Sequence, residues 1–321
     1  MPSLPRLTNF SQTYKPFHYP WAMEFAVEHE DVHWTENELE LAEDVKDWKQ
    51  NLTPIEKNLT SHILRLFTQS DVQVGQNYAD YFIPIFRNNE IRNALLSIAA
   101  REGTHQRAYA AINETLNLPD SEFHAFLEYV EMADKARFMG ANDTTDKKGI
   151  ALALAKTVYS EGVSLFGAFA MLLNFQRYGR MKGMSESVRW SIVDESMHVD
   201  FMAKLFHAYC EENPEVVTPE LKRLIRDMAF EVFELESKYF DLAFELGPVR
   251  GLDKETMKRY TKFLLNRRLQ QLGLETIFEI EENPLEWFVE IMGSEVHANF
   301  FESRVTDYQV SGMDGTWSNA Y

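Results

Sequence analysis

The sequence predicts an all-α protein, a helical bundle that encloses a site for two metal ions. Helix start signals precede long runs of apolar residues with helical spacing, and no segment shows a convincing strand pattern. The motif Glu-x-x-His occurs in two of these runs, as Glu102/His105 and as Glu195/His198. Because positions i and i+3 of a helix lie on one face, about 5–6 Å apart, each pair can bind one metal ion.

Two carboxylates precede the motifs at similar distances. Asp71 precedes Glu102 by 31 residues, and Glu161 precedes Glu195 by 34. Glu161 falls in the most apolar segment, 147–178, where an unpaired charge would be strongly destabilising. The alternative for Asp71 is a surface aspartate at the margin of an apolar stripe. The pattern indicates two half-units, each a helix with one carboxylate followed by a helix with Glu-x-x-His.

A third copy of the motif, Glu30-Asp31-Val32-His33, limits what the motif alone can establish. It lies outside any long apolar run and has no partner helix with a carboxylate. Because a single short match is a weak signal, the prediction depends on the repeated arrangement.

Other signals place the elements along the chain. Residues 1–33 contain four prolines among aromatic residues, which predicts an extended arm. Thr53-Pro54-Ile55-Glu56 is a strong helix start, with a capping threonine, a proline in the first helical position and a glutamate in the third. Residues 308–321 lack periodicity and predict a flexible tail, which leaves 34–307 as one helical domain. Helices are predicted over residues 35–52, 53–82, 90–116, 120–139, 147–178, 185–212, 218–247, 253–272 and, more weakly, 284–301.

Composition excludes several classes of function. The chain has 321 residues, a formal net charge of −18 and 45% hydrophobic residues, enough for a sizeable core. The acidic balance argues against nucleic acid or an anionic membrane surface as a partner. The single cysteine, Cys210, excludes intrachain disulfides and suits a reducing compartment. With no signal-peptide core and no apolar run of roughly 18 residues, we expect a cytoplasmic protein without a membrane span.

The predicted ligands are four carboxylates and two imidazoles: Asp71, Glu102, His105, Glu161, Glu195 and His198. Four carboxylates balance two divalent ions, and a hard set of oxygen and nitrogen ligands without thiolate favours iron or manganese. Iron is the first expectation, with a manganese pair or one ion of each as alternatives. Such ions bind and reduce O₂, so iron oxidation and storage, substrate oxygenation and formation of a protein radical are the available functions.

Two residues beside the ligands bear on this choice. Tyr109 lies one helical turn after His105 on the same face, which would place its phenol beside the metals. The alternative is that it is simply one of the 13 tyrosines packed in the core or at its rim. Asp194 directly precedes Glu195 and is placed to orient a ligand histidine from outside, since ligand imidazoles usually donate their second N–H. The alternative for Asp194 is a charge on the helix surface.

Both motif segments resemble the metal-binding helices of the small, radical-generating subunit of class I ribonucleotide reductase. These segments are Glu102-Gly-Thr-His105-Gln-Arg-Ala-Tyr109 and Asp194-Glu195-Ser-Met-His198. The resemblance covers most of the chain and implies a ferritin-like helical bundle. Further matching positions follow in the expected order: Trp34 before its helix, Asp71, Glu161 in the apolar helix, and Phe300-Phe301-Glu302-Ser303-Arg304-Val305-Thr306-Asp307-Tyr308.

The resemblance also implies an activity. The dinuclear centre would react with an oxidant and oxidise Tyr109 to a stable radical. The oxidising equivalent would then pass to a large subunit, where a cysteine radical starts the reduction of ribonucleotides. By matching positions, Trp34 and Asp194 would form an internal relay with His105. The single cysteine of this chain agrees with a divided enzyme, because ribonucleotide reduction needs a cysteine pair as reductant.

The resemblance assigns the C-terminal region to the partner. Tyr308 would hand the radical across the interface, with Glu302 as a helper, and residues 308–321 would dock on the large subunit. A homodimer of this chain is expected as well. One departure is Ser191, one turn before Glu195, where the family usually has an apolar residue; this predicts a more polar pocket around the radical. Two alternatives stay open, a ferritin-like di-metal oxygenase and an iron-handling protein.

Overall fold

The computed structural model describes residues 6–293, and over this range the chain is helical apart from turns, loops and one isolated bridge, Val249–Leu252. Shorter helical pieces lie at Glu36–Glu38, Ala42–Lys46, Asp47–Asn51, Tyr78–Phe82, Ile83–Ile85, Glu122–Ala125, Phe126–Glu128, Ser160–Ser164, Asn174–Tyr178 and Pro214–Val216. The long helices in this range are α1 Pro20–Asp31, α2 Pro54–Asn77, α3 Asn89–Thr115, α4 Val130–Gly140, α5 Lys147–Tyr159, α6 Leu165–Leu173, α7 Lys182–Glu212, α8 Pro219–Ala243, α9 Lys254–Gln271 and α10 Glu286–Met292. The predicted all-α class is confirmed.

Side-chain caps begin several of these helices. Thr53 Oγ1 accepts a hydrogen bond from the Glu56 amide at 3.2 Å, and Glu56 Oε2 accepts one from the Thr53 amide at 2.9 Å. Such a cap stabilises a helix by about 1 kcal/mol. The local sequence therefore fixes where these helices start. Side chains cap four more helices in a similar way: Asn88, Asp146, Thr218 and Asp253.

The N-terminal region corrects the prediction of an extended arm over residues 1–33. Residues 6–19 form turns and bends, but Pro20–Asp31 is the helix α1. Pro20 occupies the first helical position, where its missing N–H leaves no helical hydrogen bond unmade. The helix buries Phe25 and His29 against the body. The last proline of the cluster therefore marks a helix start and not an extended chain.

Two other predicted helices are interrupted. The segment 35–52 consists of short helical pieces. The segment 120–139 breaks at Tyr129, whose extended backbone separates two helical parts. The weak helix predicted at 284–301 is described only as α10, because residues from 294 onward lie outside the described range.

The most apolar segment, 147–178, is long and apolar enough to span a membrane by length and composition, but its apolar window is completely buried inside the protein. It therefore forms part of the hydrophobic core of the bundle. A π-helical turn, Ser160–Ser164, interrupts it at Glu161. Turns of this kind inside longer helices are frequent at functional sites.

Four helical segments bring the predicted ligands into one core. Helix α2 packs along α3, and α7 packs along α5 and α6. These two pairs correspond to the two half-units of the sequence. Asp71 lies on α2, Glu102 and His105 on α3, Glu161 in the π-helical turn between α5 and α6, and Glu195 and His198 on α7.

Candidate metal centre

All six predicted ligands are buried, with no more than 2% of any residue exposed: Asp71, Glu102, His105, Glu161, Glu195 and His198. Ligand atoms of Glu102, Glu195 and His198 lie within 4.8 Å of one another, close enough to hold one ion. The structure therefore places the residues of both motifs together in the core.

The two motif glutamates lie between the two histidines. Glu102 presents Oε2 to His105 Nδ1 at 3.5 Å and Oε1 to His198 Nδ1 at 3.2 Å. Glu195 faces the same atoms from the other half-unit, with Oε1 3.2 Å from His105 Nδ1 and Oε2 3.5 Å from His198 Nδ1. Each carboxylate thus contacts both imidazoles and would be within reach of metal ions held by either histidine.

The remaining two carboxylates approach from the other two helical segments. Glu161 Oε2 is 3.8 Å from His198 Nδ1, so Glu161 belongs to the His198 end. Asp71 is buried on α2, where its backbone carbonyl accepts a hydrogen bond at 3.0 Å from Gln106, the residue after His105 on α3. All four carboxylates therefore lie in the core that contains both histidines.

Several buried atoms of the cluster have no hydrogen-bond partner: both carboxylate oxygens of Glu102 and of Glu195, Asp71 Oδ2 and His198 Nδ1. Buried charges without full compensation are strongly destabilising. Two divalent ions would balance the four carboxylates, and carboxylate oxygen with imidazole nitrogen suits iron or manganese. The residues therefore fit a dinuclear metal centre.

The burial of several carboxylates and imidazoles close together shifts their pKa values when no metal is bound. Burial raises the pKa of Asp71 and of Glu161 well above the usual range, and the Glu102 and Glu195 carboxylates add to the effect. Burial works against protonation of His198, but Glu195 and Glu102 raise its pKa to about 10. Because imidazoles and carboxylates bind metals only when deprotonated, metal binding must release these protons.

Tyr109 lies beside this cluster, where the sequence predicted it. Its ring stacks on Phe67 with centroids 4.6 Å apart, and only 1% of the residue is exposed. Its hydroxyl donates a hydrogen bond to Ser191 Oγ at 3.2 Å. Burial and the nearby Asp71 carboxylate raise the pKa of Tyr109, so the phenol keeps its proton at neutral pH. The polar contact predicted for Ser191 is present.

Behind His105 lies a hydrogen-bonded chain that leads away from the cluster. His105 Nε2 is 3.0 Å from Asp194 Oδ2, and Trp34 Nε1 donates to the same oxygen at 2.7 Å. Arg101 forms an ion pair with the other oxygen of Asp194. Burial opposes ionisation of Asp194, but the His105 contact, together with Arg101, lowers its pKa to about 2. Asp194 is therefore a buried carboxylate and not a surface charge.

Comparison with known proteins identifies the family. The model of a family described as "Ribonucleotide reductase, small chain" matches residues 11–284. The chain belongs to this family. As a small chain, it is part of a class I ribonucleoside-diphosphate reductase and works with a large subunit.

Individual relatives agree with this assignment. A probable ribonucleoside-diphosphate reductase small subunit of Invertebrate iridescent virus 3 is 36% identical and covers 95% of this chain and 86% of its own length. Among solved structures, the ribonucleotide reductase R2 subunit from Clostridium botulinum matches with a TM-score of 0.82 at 22% identity, over 88% of this chain and 92% of that one. The dimanganese(II)-NrdF of Streptococcus sanguinis matches with a TM-score of 0.75 at 19% identity, over 91% and 99%. The expected ferritin-like fold is confirmed.

The residue behind His198 in this small chain was not predicted from the sequence. His198 Nε2 lies 3.0 Å from His29 Nε2, and His29 Nδ1 lies 2.8 Å from Ser97 Oγ. His29 Nε2 is also 3.9 Å from Asp194 Oδ1. Burial and the neighbouring His198 lower the pKa of His29 to about 2, so this imidazole is neutral. The neutral His29 can accept a hydrogen bond from His198 Nε2 and donate one to Ser97 Oγ. His198 Nδ1 then faces the carboxylates.

One pattern in the sequence could have identified His29, and the structure supports it. It follows Trp21 and Phe25 at intervals of four residues, which is the spacing of one helix face. Both rings are close to Phe201 of α7 in the structure. The four-residue intervals indicate a helix face only if Pro20 is recognised as the start of a helix.

Two other contacts of the cluster join residues far apart in the sequence. Tyr78 donates its hydroxyl proton to Glu161, and Arg101 pairs with Asp194. No local pattern relates these partners, which are 83 and 93 residues apart.

The third copy of the motif is separate from this cluster, as expected, and the predictions for the C-terminal region are not tested by the described residues. Glu30 and His33, the third copy of the motif, are exposed at the surface, as their isolation from an apolar run indicated. Glu302, Tyr308 and the tail 308–321 lie outside the described residues.

Proposed function

We propose that the six buried ligands hold two metal ions and that this centre generates a radical on Tyr109, which is passed to the large subunit to start ribonucleotide reduction. The observation that carries this proposal is the buried cluster of carboxylates and imidazoles, in which the oxygens of Glu102 and Glu195 have no hydrogen-bond donor, with a buried phenol one helical turn after His105. When bound, the two ions would supply the oxidising power for Tyr109.

The residues around Tyr109 would control the radical. Phe67 stacks on the Tyr109 ring with centroids 4.6 Å apart, and Phe169 packs on Phe67 at 5.1 Å; all three side chains are buried, which keeps water from the phenol. Ser191 Oγ accepts the phenolic hydrogen bond and fixes the orientation of the ring. The apolar wall favours a long-lived radical, whereas the Ser191 contact makes the pocket more polar.

The chain from His105 through Asp194 to Trp34 is the proposed route out of the centre. Asp194 Oδ2 holds both the His105 Nε2 contact and the Trp34 indole hydrogen bond. Trp34 could lose an electron while its N–H stays hydrogen-bonded to a carboxylate, which stabilises the oxidised indole. The His105 contact, together with the Arg101 ion pair, lowers the pKa of Asp194, so its carboxylate is ionised and accepts these hydrogen bonds.

The remaining assignments follow the family. We propose iron as the metal, with manganese or a mixed pair as alternatives, since the ligand set accepts either and metal supply often decides. Tyr308 and Glu302 would continue the route at the interface, and residues 308–321 would dock on the large subunit. A homodimer in the cytoplasm is the proposed setting.

The alternative functions, a di-metal oxygenase or an iron-handling protein, have less support. An oxygenase acting on its own substrate needs an open apolar channel to the metals and small residues near position 109. The structure instead places Tyr109 against Phe67 with 1% of the tyrosine exposed. Family membership also favours the reductase subunit.

Electron paramagnetic resonance after aerobic iron loading tests the proposal. We expect a stable tyrosyl signal in the wild type, observed minutes after mixing, and its loss in Tyr109→Phe. Tyr159→Phe is the matched control, because Tyr159 is a buried tyrosine that donates to the Ile225 carbonyl on another part of the bundle. A wild-type chain that binds two ions but gives no tyrosyl signal would contradict the proposal. The same stable signal in Tyr109→Phe would contradict the assignment to Tyr109.

A further inference from the structure

A second tyrosine directly contacts one of the predicted metal ligands. The Tyr78 hydroxyl lies 2.8 Å from Glu161 Oε1 and 3.0 Å from Glu161 Oε2. Tyr78 is completely buried, and its ring packs on Phe82 with centroids 5.7 Å apart. The phenol therefore touches a predicted metal ligand without an intervening residue.

The local backbone is irregular on both sides of this contact. Tyr78 begins the π-helical turn Tyr78–Phe82 at the end of α2, and Glu161 lies in the π-helical turn Ser160–Ser164. A π-helical turn redirects side chains relative to a regular α-helix and is frequent at functional sites. Both partners of the contact are thus presented to the cluster by this type of turn.

The two tyrosines beside the cluster differ in their hydrogen-bond partner. Tyr109 donates to Ser191, a neutral hydroxyl. Tyr78 donates to the Glu161 carboxyl group, which loses its proton when it binds a metal ion and is then a better acceptor for a phenolic proton than a hydroxyl. Oxidation of tyrosine to a neutral radical requires loss of that proton, so an acceptor at hydrogen-bond distance favours the reaction. Each carboxylate oxygen has two acceptor sites, so Glu161 can bind a metal ion and still accept this hydrogen bond.

We propose that Tyr78 is a second redox-active tyrosine of the centre, with Glu161 as the acceptor of its proton. The inference rests on the proposed function, which supplies the oxidant. In the step, Tyr78 gives one electron to the oxidised metal centre, which is reduced by one electron. The phenolic O–H bond breaks, an O–H bond forms on Glu161, and a neutral phenoxyl radical remains on Tyr78. Tyr78 is thus the residue that the centre oxidises when it does not oxidise Tyr109.

Rapid freeze-quench electron paramagnetic resonance on the metal-loaded full chain tests this step. We expect Tyr109→Phe to lack the stable signal of the wild type but to show a transient tyrosyl signal within seconds of oxidant addition. The double variant Tyr109→Phe/Tyr78→Phe should lose the transient signal and keep two metal ions. Tyr109→Phe/Tyr159→Phe is the matched control and should keep it.

Site-specific 3-fluorotyrosine at position 78, in the Tyr109→Phe background, provides an assignment that does not depend on the double variant. The hydroxyl and its contact with Glu161 are retained, and a radical on residue 78 acquires a fluorine hyperfine splitting. A transient signal with this splitting supports the inference. A stable Tyr109 radical in the wild type with no transient signal in Tyr109→Phe overturns the inference but leaves the proposed function intact. A transient signal that lacks the splitting, or that survives in the double variant, also overturns it, and absence of any wild-type radical removes both.

Discussion

The two half-units share the spacing of their ligands but differ in what lies behind each histidine. Behind His105 is Asp194, a carboxylate kept ionised by the His105 contact together with Arg101 and hydrogen-bonded to Trp34. Behind His198 is His29, a neutral imidazole whose Nδ1 contacts Ser97 and whose Nε2 also lies 3.9 Å from Asp194 Oδ1.

The repeated motif therefore determines where the predicted ligands lie. The residue behind each histidine determines whether that half is linked to a route for electron transfer or only holds the ligand in place. A carboxylate behind His105 makes the imidazole a stronger donor to a metal and links it to an indole. A neutral imidazole behind His198 fixes the orientation of that ligand without adding charge. We therefore expect the His105 half to carry transfer out of the centre and the His198 half to serve metal binding.

The largest expected effect comes from a residue shared by the two halves. Glu102 faces both imidazoles, so Glu102→Ala should lose both metal ions and reduce turnover with the large subunit to the background rate. Metal analysis by mass spectrometry and a turnover assay measure this. Glu114→Ala is the control, because Glu114 is an exposed glutamate on the same helix. Retention of one tightly bound ion in Glu102→Ala would show that the halves bind metal independently.

The next effect separates transfer from binding. Asp194→Asn keeps the shape of the side chain but removes the charge that Arg101 and His105 contact, and we expect turnover to fall by about 100-fold. Metal content and the Tyr109 radical should remain, as measured by metal analysis and electron paramagnetic resonance. Asp200→Asn on the same helix is the control; its Oδ1 accepts a hydrogen bond from Gln271 at 3.0 Å. Normal turnover in Asp194→Asn would remove Asp194 from the proposed route.

His29→Ala tests the other half and should have a smaller effect. Loss of the contact behind His198 should weaken binding of one of the two ions by about tenfold, while turnover of the fully loaded protein changes little. Competition with a chelator measures the affinity of each ion. His207→Ala is the matched control, since His207 is a buried histidine on α7, the helix that carries His198, and contacts the Gln271 carbonyl. If His29→Ala and Asp194→Asn lose turnover equally, the proposed division between the halves is wrong.

The last expected effect is on stability and not on turnover, a pH dependence of the metal-free protein. His198 has its pKa raised from 6.5 to about 10, despite burial, by the Glu195 and Glu102 carboxylates. A raised pKa in the folded state contributes stability that is complete below pH 6.5 and is lost as pH rises towards 10. The free energy of unfolding should therefore decrease over this range, and each kcal/mol lost lowers Tm by roughly 2–4 °C.

The metal-loaded protein is the control for this dependence. Its imidazoles are already deprotonated by metal binding, so its Tm should not follow the same decline between pH 7 and 10. Thermal unfolding with and without a chelator measures both curves. Parallel curves would indicate that metal binding does not displace a proton from His198.

The contrast between the halves also shows what the sequence could predict. Residues three positions apart on a helix must share a face, so Glu195 and His198 could be paired from the sequence alone. Glu161 could be recognised because a carboxylate in a fully apolar helix needs a partner. These predictions depend only on local spacing and composition.

Contacts between distant segments could not be predicted in this way. His29 meets His198 across 169 residues and Tyr78 meets Glu161 across 83, and no local rule relates such positions. The helix that carries His29 was also hidden by the prolines before it, which are compatible with an extended chain until packing is known. The break at Tyr129 likewise depends on packing and not on a strong local signal.

A crystal structure of the iron- or manganese-loaded protein, with anomalous scattering from the metals, would show whether the six side chains bind two ions. We expect two ions between α2, α3, α7 and the π-helical turn Ser160–Ser164, bonded to six side chains: Asp71, Glu102, His105, Glu161, Glu195 and His198. A single ion, or two ions with Asp71 or Glu161 left unbound and distant, would contradict this expectation.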